Sequence, residues 1–310
     1  MSRDPRKAFE LKLVELAKTD AKIFAVSCDS ASGGGLSSFF KAYPERSIEV
    51  GISEQTGVGL SAGLARQGLT PVLVIINPFL TMRAYEQVRD DLGYMDSNVK
   101  IVGSGGGLAY STLGSTHIAV EDVALMRTVP HMTVLCPGDA DEVEFALEQA
   151  VKIQGPVYIR MPRQARQEPK PVSERSMSIG KGEVLLEGKD ATIFTYGPSV
   201  EQAMAAAALL QADGISVNVV NFTTVKPLDE ACVLKYSKGV KAIFSLEEHS
   251  PVGGLGSAVA NVLAENPVAA PLKKFGVPEG AKQTGPYEEV LAYYEIDGAG
   301  VAKRIKAALN

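Results

Sequence analysis

What most limits the fold of this chain is the way short, continuously apolar runs keep alternating with helix-periodic segments. KIFAVSCD, TPVLVII, NVKIVGS, MTVLCP and PVYIRM are such runs in the first half, and helical patterns cover about Pro5–Thr19, the segment after Glu54, and Asp139–Val151. Strands apolar on both faces belong in a buried parallel sheet, with the intervening helices covering it. An amphipathic stretch runs from Ala119 to Met126. After Arg160 the character changes, because RQARQEPKPVSERSMS is polar, carries two prolines and has no periodicity, as expected of a linker. The rhythm resumes near Ile179 with ATIFTYG, an Ala-rich helix over Val200–Asp213, SVNVVNF, a helix after Pro227, AIFSLEE and a helix over Gly256–Glu265. The expected fold is α/β, with two consecutive open, mostly parallel sheet domains wrapped by helices. The expected boundaries are 1–164 and 181–310, with a linker at 165–180.

At 310 residues the chain is long enough for two cores, and 45% hydrophobic with 22% charged residues is the balance of a globular protein. Cys28, Cys136 and Cys232 are widely spaced and form neither a disulfide framework nor a metal-ligand cluster. The N-terminal MSRDPRKAFELKLVELAKTDAK is charged and helix-periodic rather than signal-like, so a cytoplasmic location is expected. No apolar run approaches the roughly 20 residues that span a bilayer. A net charge of -5 without a basic block argues against a nucleic-acid partner.

In IEVGISEQTGVGLSAGLARQG a strand runs through a glycine-bounded turn into a helix of small residues, and Glu54 sits at the turn. Backbone N–H groups and the helix dipole favour an anion there. Read alone, Glu54 is simply an acidic residue satisfying a helix start, and spacing by itself does not settle a further role. The runs GSGGG at 103–107 and GGLG at 253–256 lack the full G-x-G-x-x-G spacing, so a dinucleotide is not expected.

GISEQ followed by GLSAGLA resembles the pyrimidine-binding domain of thiamine diphosphate enzymes in the transketolase, deoxyxylulose-phosphate synthase and dehydrogenase E1β group. NPFLTMRAYEQVRDDLGY, STLGSTHIAVEDVALMRTVPHMTVLCPGDADEV, GPVYIRMPR, TTVKPLDE and LEEHSPVGGLGSAV extend the resemblance over nearly the whole chain, most closely to stand-alone transketolase C-terminal subunits. The resemblance implies that Glu54 hydrogen-bonds N1′ of the cofactor's aminopyrimidine and so favours the imino tautomer. It implies that Phe79 stacks on the pyrimidine, with Ile76 and Met82 where relatives often carry further aromatic residues. His117 falls on the substrate-contacting histidine, which can donate to a developing alkoxide or relay a proton. Gly105 and Leu113 stand where phosphoketose-processing relatives carry a histidine for the phosphate and an aspartate for a hydroxyl, which puts a standard pentose phosphate in doubt.

Arg160 and Arg163 suit an anionic substrate group or a domain-end salt bridge. Ser30 and Ser32 match the family's early phosphate-site loop only loosely. His131 is expected in a structural turn, and His249 is given no catalytic step. The GDG and downstream Asn signature for Mg²⁺ and diphosphate is missing. The resemblance therefore implies an N-terminal partner subunit that holds the metal, in a heterotetramer with two copies of each subunit and with self-dimerisation of this chain. The activity implied is transfer of a two-carbon ketol unit from a phosphorylated or otherwise anionic ketose to an aldose. The alternatives are an E1β-like or deoxyxylulose-type subunit, or a non-catalytic assembly subunit.

Overall fold

The computed structural model describes residues 2–309. Its strands are β1 (Ile23–Ser27), β2 (Ser47–Glu49), β3 (Thr70–Ile76), β4 (Lys100–Ser104), β5 (Thr133–Leu135), β6 (Val157–Met161), β7 (Glu183–Leu186), β8 (Ala191–Thr195), β9 (Val217–Asn221), β10 (Thr224–Lys226), β11 (Ala242–Leu246) and β12 (Leu272–Phe275). A seven-stranded sheet has the order β10-β5-β6-β4-β3-β1-β2, and a five-stranded sheet the order β12-β11-β8-β9-β7. Neighbours are parallel except at one edge of each sheet, where β10 runs antiparallel to β5 and β7 antiparallel to β9. The α/β architecture with two mostly parallel sheets is the one expected from the sequence.

Local chemistry sets the helix starts. Asp4 accepts from the Arg6 amide with Pro5 in the first turn, opening the helix Pro5–Thr19, and Asp139 accepts from the Glu142 amide to open Ala140–Lys152. The amphipathic stretch expected from Ala119 becomes helical only over Asp122–Thr128. Beyond β3, Phe79–Arg83 and Val88–Tyr94 wind as wide π-type turns, a geometry that recurs at functional sites. No helix among the described residues is long and apolar enough to cross a membrane.

The two sheets share a core. Val26, Leu73, Ile101 and Tyr158 of the first pack in one cluster with Phe194, Tyr196, Val220 and Phe222 of the second. The segment between them is polar but firmly held. The Arg175 side chain is fully buried and donates to Asp139 at 2.7 Å, to Glu183 at 2.8 Å and also to Glu142. Arg166 pairs with Glu201 and Glu288 and lies 4.6 Å from the Tyr287 ring centre. Lack of periodicity therefore marks where the chain leaves one sheet for the other. It does not mark looseness, because these arginines are fixed by carboxylates distant in sequence.

Candidate active site

The residues of interest lie beyond the C-terminal ends of β2, β3, β4 and β6, where open parallel sheets gather their ligand sites. After β2 the chain turns through Gly51, whose φ of +72° is in the left-handed region. Glu54 is then the first residue of the helix Glu54–Arg66 and is only 3% exposed. That helix lies close to β1, since a Cβ on Gly57 would stand 2.6 Å from Cys28 Sγ. Burial first, and then the charges of Glu54 and Glu49, push the Cys28 thiol up to about 12, which leaves it inert. Among the described residues the one side-chain hydrogen bond to the Glu54 carboxylate comes from Arg83, Nη1 to Oε1 at 2.8 Å.

Phe79 is placed by the end of β3. Asn77 Nδ2 donates to Asp122 at 3.0 Å and to the Tyr158 hydroxyl at 2.8 Å, and Thr81 Oγ1 donates back to the Asn77 carbonyl at 2.9 Å. These bonds pin the turn that carries the ring. The Arg83 guanidinium carbon lies 4.1 Å from the Phe79 ring centre, and the His117 ring meets Phe79 edge-on at 5.2 Å. Thr116 Oγ1 lies 2.9 Å from His117 Nδ1. Tyr110 is 6.0 Å from His117 ring to ring, and its hydroxyl accepts from Arg163 Nη1 at 2.9 Å. The structure thus joins Glu54, Arg83, Phe79, His117, Tyr110 and Arg163 into one continuous row. Ile76 is half-buried at the end of β3, and Met82 is 38% exposed on the Phe79 turn.

Arg160 does not face this row. It is 3% exposed, with Nε and Nη2 on the Asp122 carboxylate at 2.7 and 3.1 Å and Nη2 also on the Ala119 and Glu248 carbonyls at 2.9 Å. Burial alone would raise the Asp122 carboxyl, but the Arg160 charge and hydrogen bonds hold it below its usual range. Of the two roles open to Arg160 from the sequence, the structure displays the salt bridge, with Nε and Nη2 committed to Asp122 and to backbone carbonyls. The Ser30 hydroxyl is likewise engaged by the Cys28 and Val74 carbonyls at 3.1 and 3.3 Å, while Ser32 is exposed. His249 is fully buried, accepting from the Ala124 amide at 3.2 Å with Nδ1 on the Ser250 carbonyl at 2.7 Å. His131 sits in a turn with φ +58°.

Gly105 has a definite steric reason. Its φ is +78°, and a Cβ there would lie 2.1 Å from Tyr110 Cε2. Tyr110 thus fills the space that a side chain at 105 would need, while Leu113 is 54% exposed. Replacing Gly105 by alanine is expected to cost about 1–3 kcal/mol. The loss should shrink in a Tyr110→Ala background, because neighbours that share space are non-additive. Urea unfolding of the double-mutant cycle checks this, and strictly additive losses would mean that the ring does not press on position 105.

Sequence reasoning missed Arg83 and Tyr110. The only signal for Arg83 was its place one turn beyond Phe79, and Tyr110 was an aromatic residue in a loop of small residues. The donor set fits a planar heterocycle, because the Glu54 carboxylate and the Phe79 face already cradle a planar hydrogen-bond donor, the Arg83 guanidinium.

Residues 2–168 match the family Transketolase, pyrimidine binding domain, and residues 180–301 match Transketolase, C-terminal domain. The chain is 37% identical over 298 residues to one of the subunits of the apulose-4-phosphate transketolase of Phocaeicola vulgatus, covering 96% of this chain and 95% of that one. It is 35% identical over 301 residues to a putative transketolase C-terminal section of Methanocaldococcus jannaschii, covering 97% and 94%. Against 1-deoxy-D-xylulose-5-phosphate synthase 1 of Geobacter sulfurreducens it is 38% identical but spans 47% of that protein. The solved structure described as a split gene transketolase, inactive beta4 tetramer, superposes with a TM-score of 0.89 at 36% identity, covering 99% of this chain and 98% of that one. Fold and likeness together define a subunit of the thiamine diphosphate-dependent transferase class. The chain belongs to the transketolase family.

Proposed function

We propose that this chain is the pyrimidine-binding and C-terminal subunit of a split transketolase, transferring a two-carbon ketol unit from a ketose with an anionic group to an aldose. The observation that carries the reading is the buried Glu54 carboxylate at a helix start, opening toward Phe79 and, beyond it, His117. When bound, thiamine diphosphate supplies the carbon nucleophile for ketol chemistry. Glu54 holds a proton at the pyrimidine nitrogen, Phe79 fixes the ring plane, and Ile76 and Met82 flank it. His117 stands ready to hold or pass a proton at a substrate oxygen. Arg163, steadied by Tyr110, offers its remaining donors to an anionic substrate group, with Leu113, Gly105 and Ser32 shaping the rest of the mouth.

Mg²⁺ and the diphosphate are assigned to an N-terminal partner subunit carrying the diphosphate-binding domain, in a heterotetramer of two copies of each. The relative from Phocaeicola vulgatus, named as a transketolase subunit, and the split-gene structure support a divided enzyme. The likeness to the synthase favours one second reading, a deoxyxylulose-type subunit, recognised by carbon dioxide release from a 2-oxoacid donor.

Calorimetry with Mg²⁺ and thiamine diphosphate tests the assignment. Tight binding is expected from this chain mixed with its diphosphate-binding subunit and not from the chain alone. Equal binding by the chain alone would remove the need for a partner.

A further inference from the structure

We propose that Arg83 is a built-in stopper of the pyrimidine pocket, occupying in the cofactor-free chain the place the aminopyrimidine must take, and that binding requires its side chain to swing out. The inference rests on the reading that Glu54 and Phe79 receive that ring. Two independent contacts point to it. Arg83 Nη1 donates to Glu54 Oε1 at 2.8 Å, and the guanidinium carbon sits 4.1 Å from the centre of the Phe79 ring. Those are the two interactions, one in-plane hydrogen bond and one stacked face, that the proposed function gives to the aminopyrimidine. The lone pair and the ring face that the guanidinium holds are closed to the aminopyrimidine while Arg83 stays in place.

The burial pattern shows which partner moves. The Glu54 side chain is 5% exposed and fixed on its helix, whereas the Arg83 side chain is 44% exposed and reaches in from the surface. Gln55 Nε2 donates to the Arg83 carbonyl at 3.3 Å, so the backbone is tethered while the side chain retains an open path outward. Leaving a carboxylate buried without a counter-charge is costly, and Arg83 supplies that charge until a cofactor donor replaces it. The pocket is thus self-neutralised when empty, and cofactor affinity is reduced by the fraction of molecules in which Arg83 is closed.

The test is calorimetric and stopped-flow binding of thiamine diphosphate with Mg²⁺ to the assembled two-subunit complex, alongside heat denaturation of the cofactor-free chain. Arg83→Ala should tighten apparent binding and speed association by about tenfold each, as expected when a mostly closed pocket becomes open. The free variant should melt at a lower temperature than wild type, because Glu54 has lost its counter-charge. Arg83→Met, which keeps the stem without charge or planar head, should behave alike, and it carries the test if the alanine form does not fold. Arg83→Lys should fall between, keeping the charge but not the flat stack. Binding by both uncharged variants that is unchanged or weaker than wild type would overturn the stopper, the weaker case making Arg83 a cofactor ligand instead. If the wild-type complex binds and Glu54→Ala binds equally well, the reading beneath the stopper fails, and the stopper with it.

Discussion

Glu54→Gln is expected to lower the turnover of the assembled enzyme by roughly a hundredfold to ten-thousandfold, the range that general acid–base help supplies, while leaving folding and assembly intact. The substitution is nearly isosteric, so the helix Glu54–Arg66, its close approach at Gly57 and the Phe79 face keep their shape. What it removes is the anion. A neutral amide cannot hold a proton at the pyrimidine nitrogen, and an interaction needed chiefly in the transition state is lost from kcat more than from KM. Steady-state kinetics with saturating cofactor measures the split. An undiminished kcat in a properly assembled variant would move this chain to the non-catalytic assembly subunits, in spite of the row that Glu54 shares with Phe79 and His117.

Arg175→Met is expected to destabilise the chain by about 3–5 kcal/mol near neutral pH, the cost of removing one partner from a buried ionic group. The arginine side chain is 0% exposed, and Asp139, Glu142 and Glu183 around it are 5%, 1% and 5% exposed. Without it three carboxylates face one another in the dry joint between the sheets. The pH dependence has a definite sign. Burial, then the Glu142 charge, already raise the Asp139 carboxyl to about 7 against the pull of Arg175. Its unfolded value is about 3.9, so the folded state binds that proton more tightly. The stabilisation from protonated Asp139 is full below about pH 4 and is lost as pH rises through about 7. Removing Arg175 takes away the charge that pulls the Asp139 carboxyl down, so the variant should lose most above pH 7 and recover part of the loss near pH 5.5. Urea unfolding at both pH values decides it, and an equal loss at each would show that these carboxylates are not the source.

The parts of the fold that can be read from the sequence are those fixed by local patterning. The Pro5–Thr19 helix is legible to its ends because its capping aspartate, N-terminal proline and periodicity agree. The strands β1, β3, β4, β6, β8, β9 and β11 are visible because apolar runs this short and β-branched have few other uses. β10 is hidden, since three residues within TTVKPLDE acquire strand character only by pairing with β5, nearly ninety positions earlier. The site divides in the same way. Glu54, Phe79 and His117 stand in ordered motifs, whereas Arg83 and Tyr110 matter through contacts with residues on other elements. Arg160 stays undecided between two roles in the sequence because its partner, Asp122, lies in a segment whose pattern shows only amphipathicity. The linker arginines escape for the same reason, as ion pairs across a fold leave no periodic trace.

The crossing of β10 into the first sheet also bears on how the chain is made. As synthesis proceeds from the N-terminus, β5 has only β6 for a neighbour until residue 226 has been added. During that interval the outer edge of β5 carries unpaired amides and carbonyls, the surface on which nascent chains associate wrongly. Brevity limits the exposure, because β5 is three residues long. The first sheet therefore matures only after much of the second has left the ribosome, so the two halves are units of architecture without being independent units of biosynthesis.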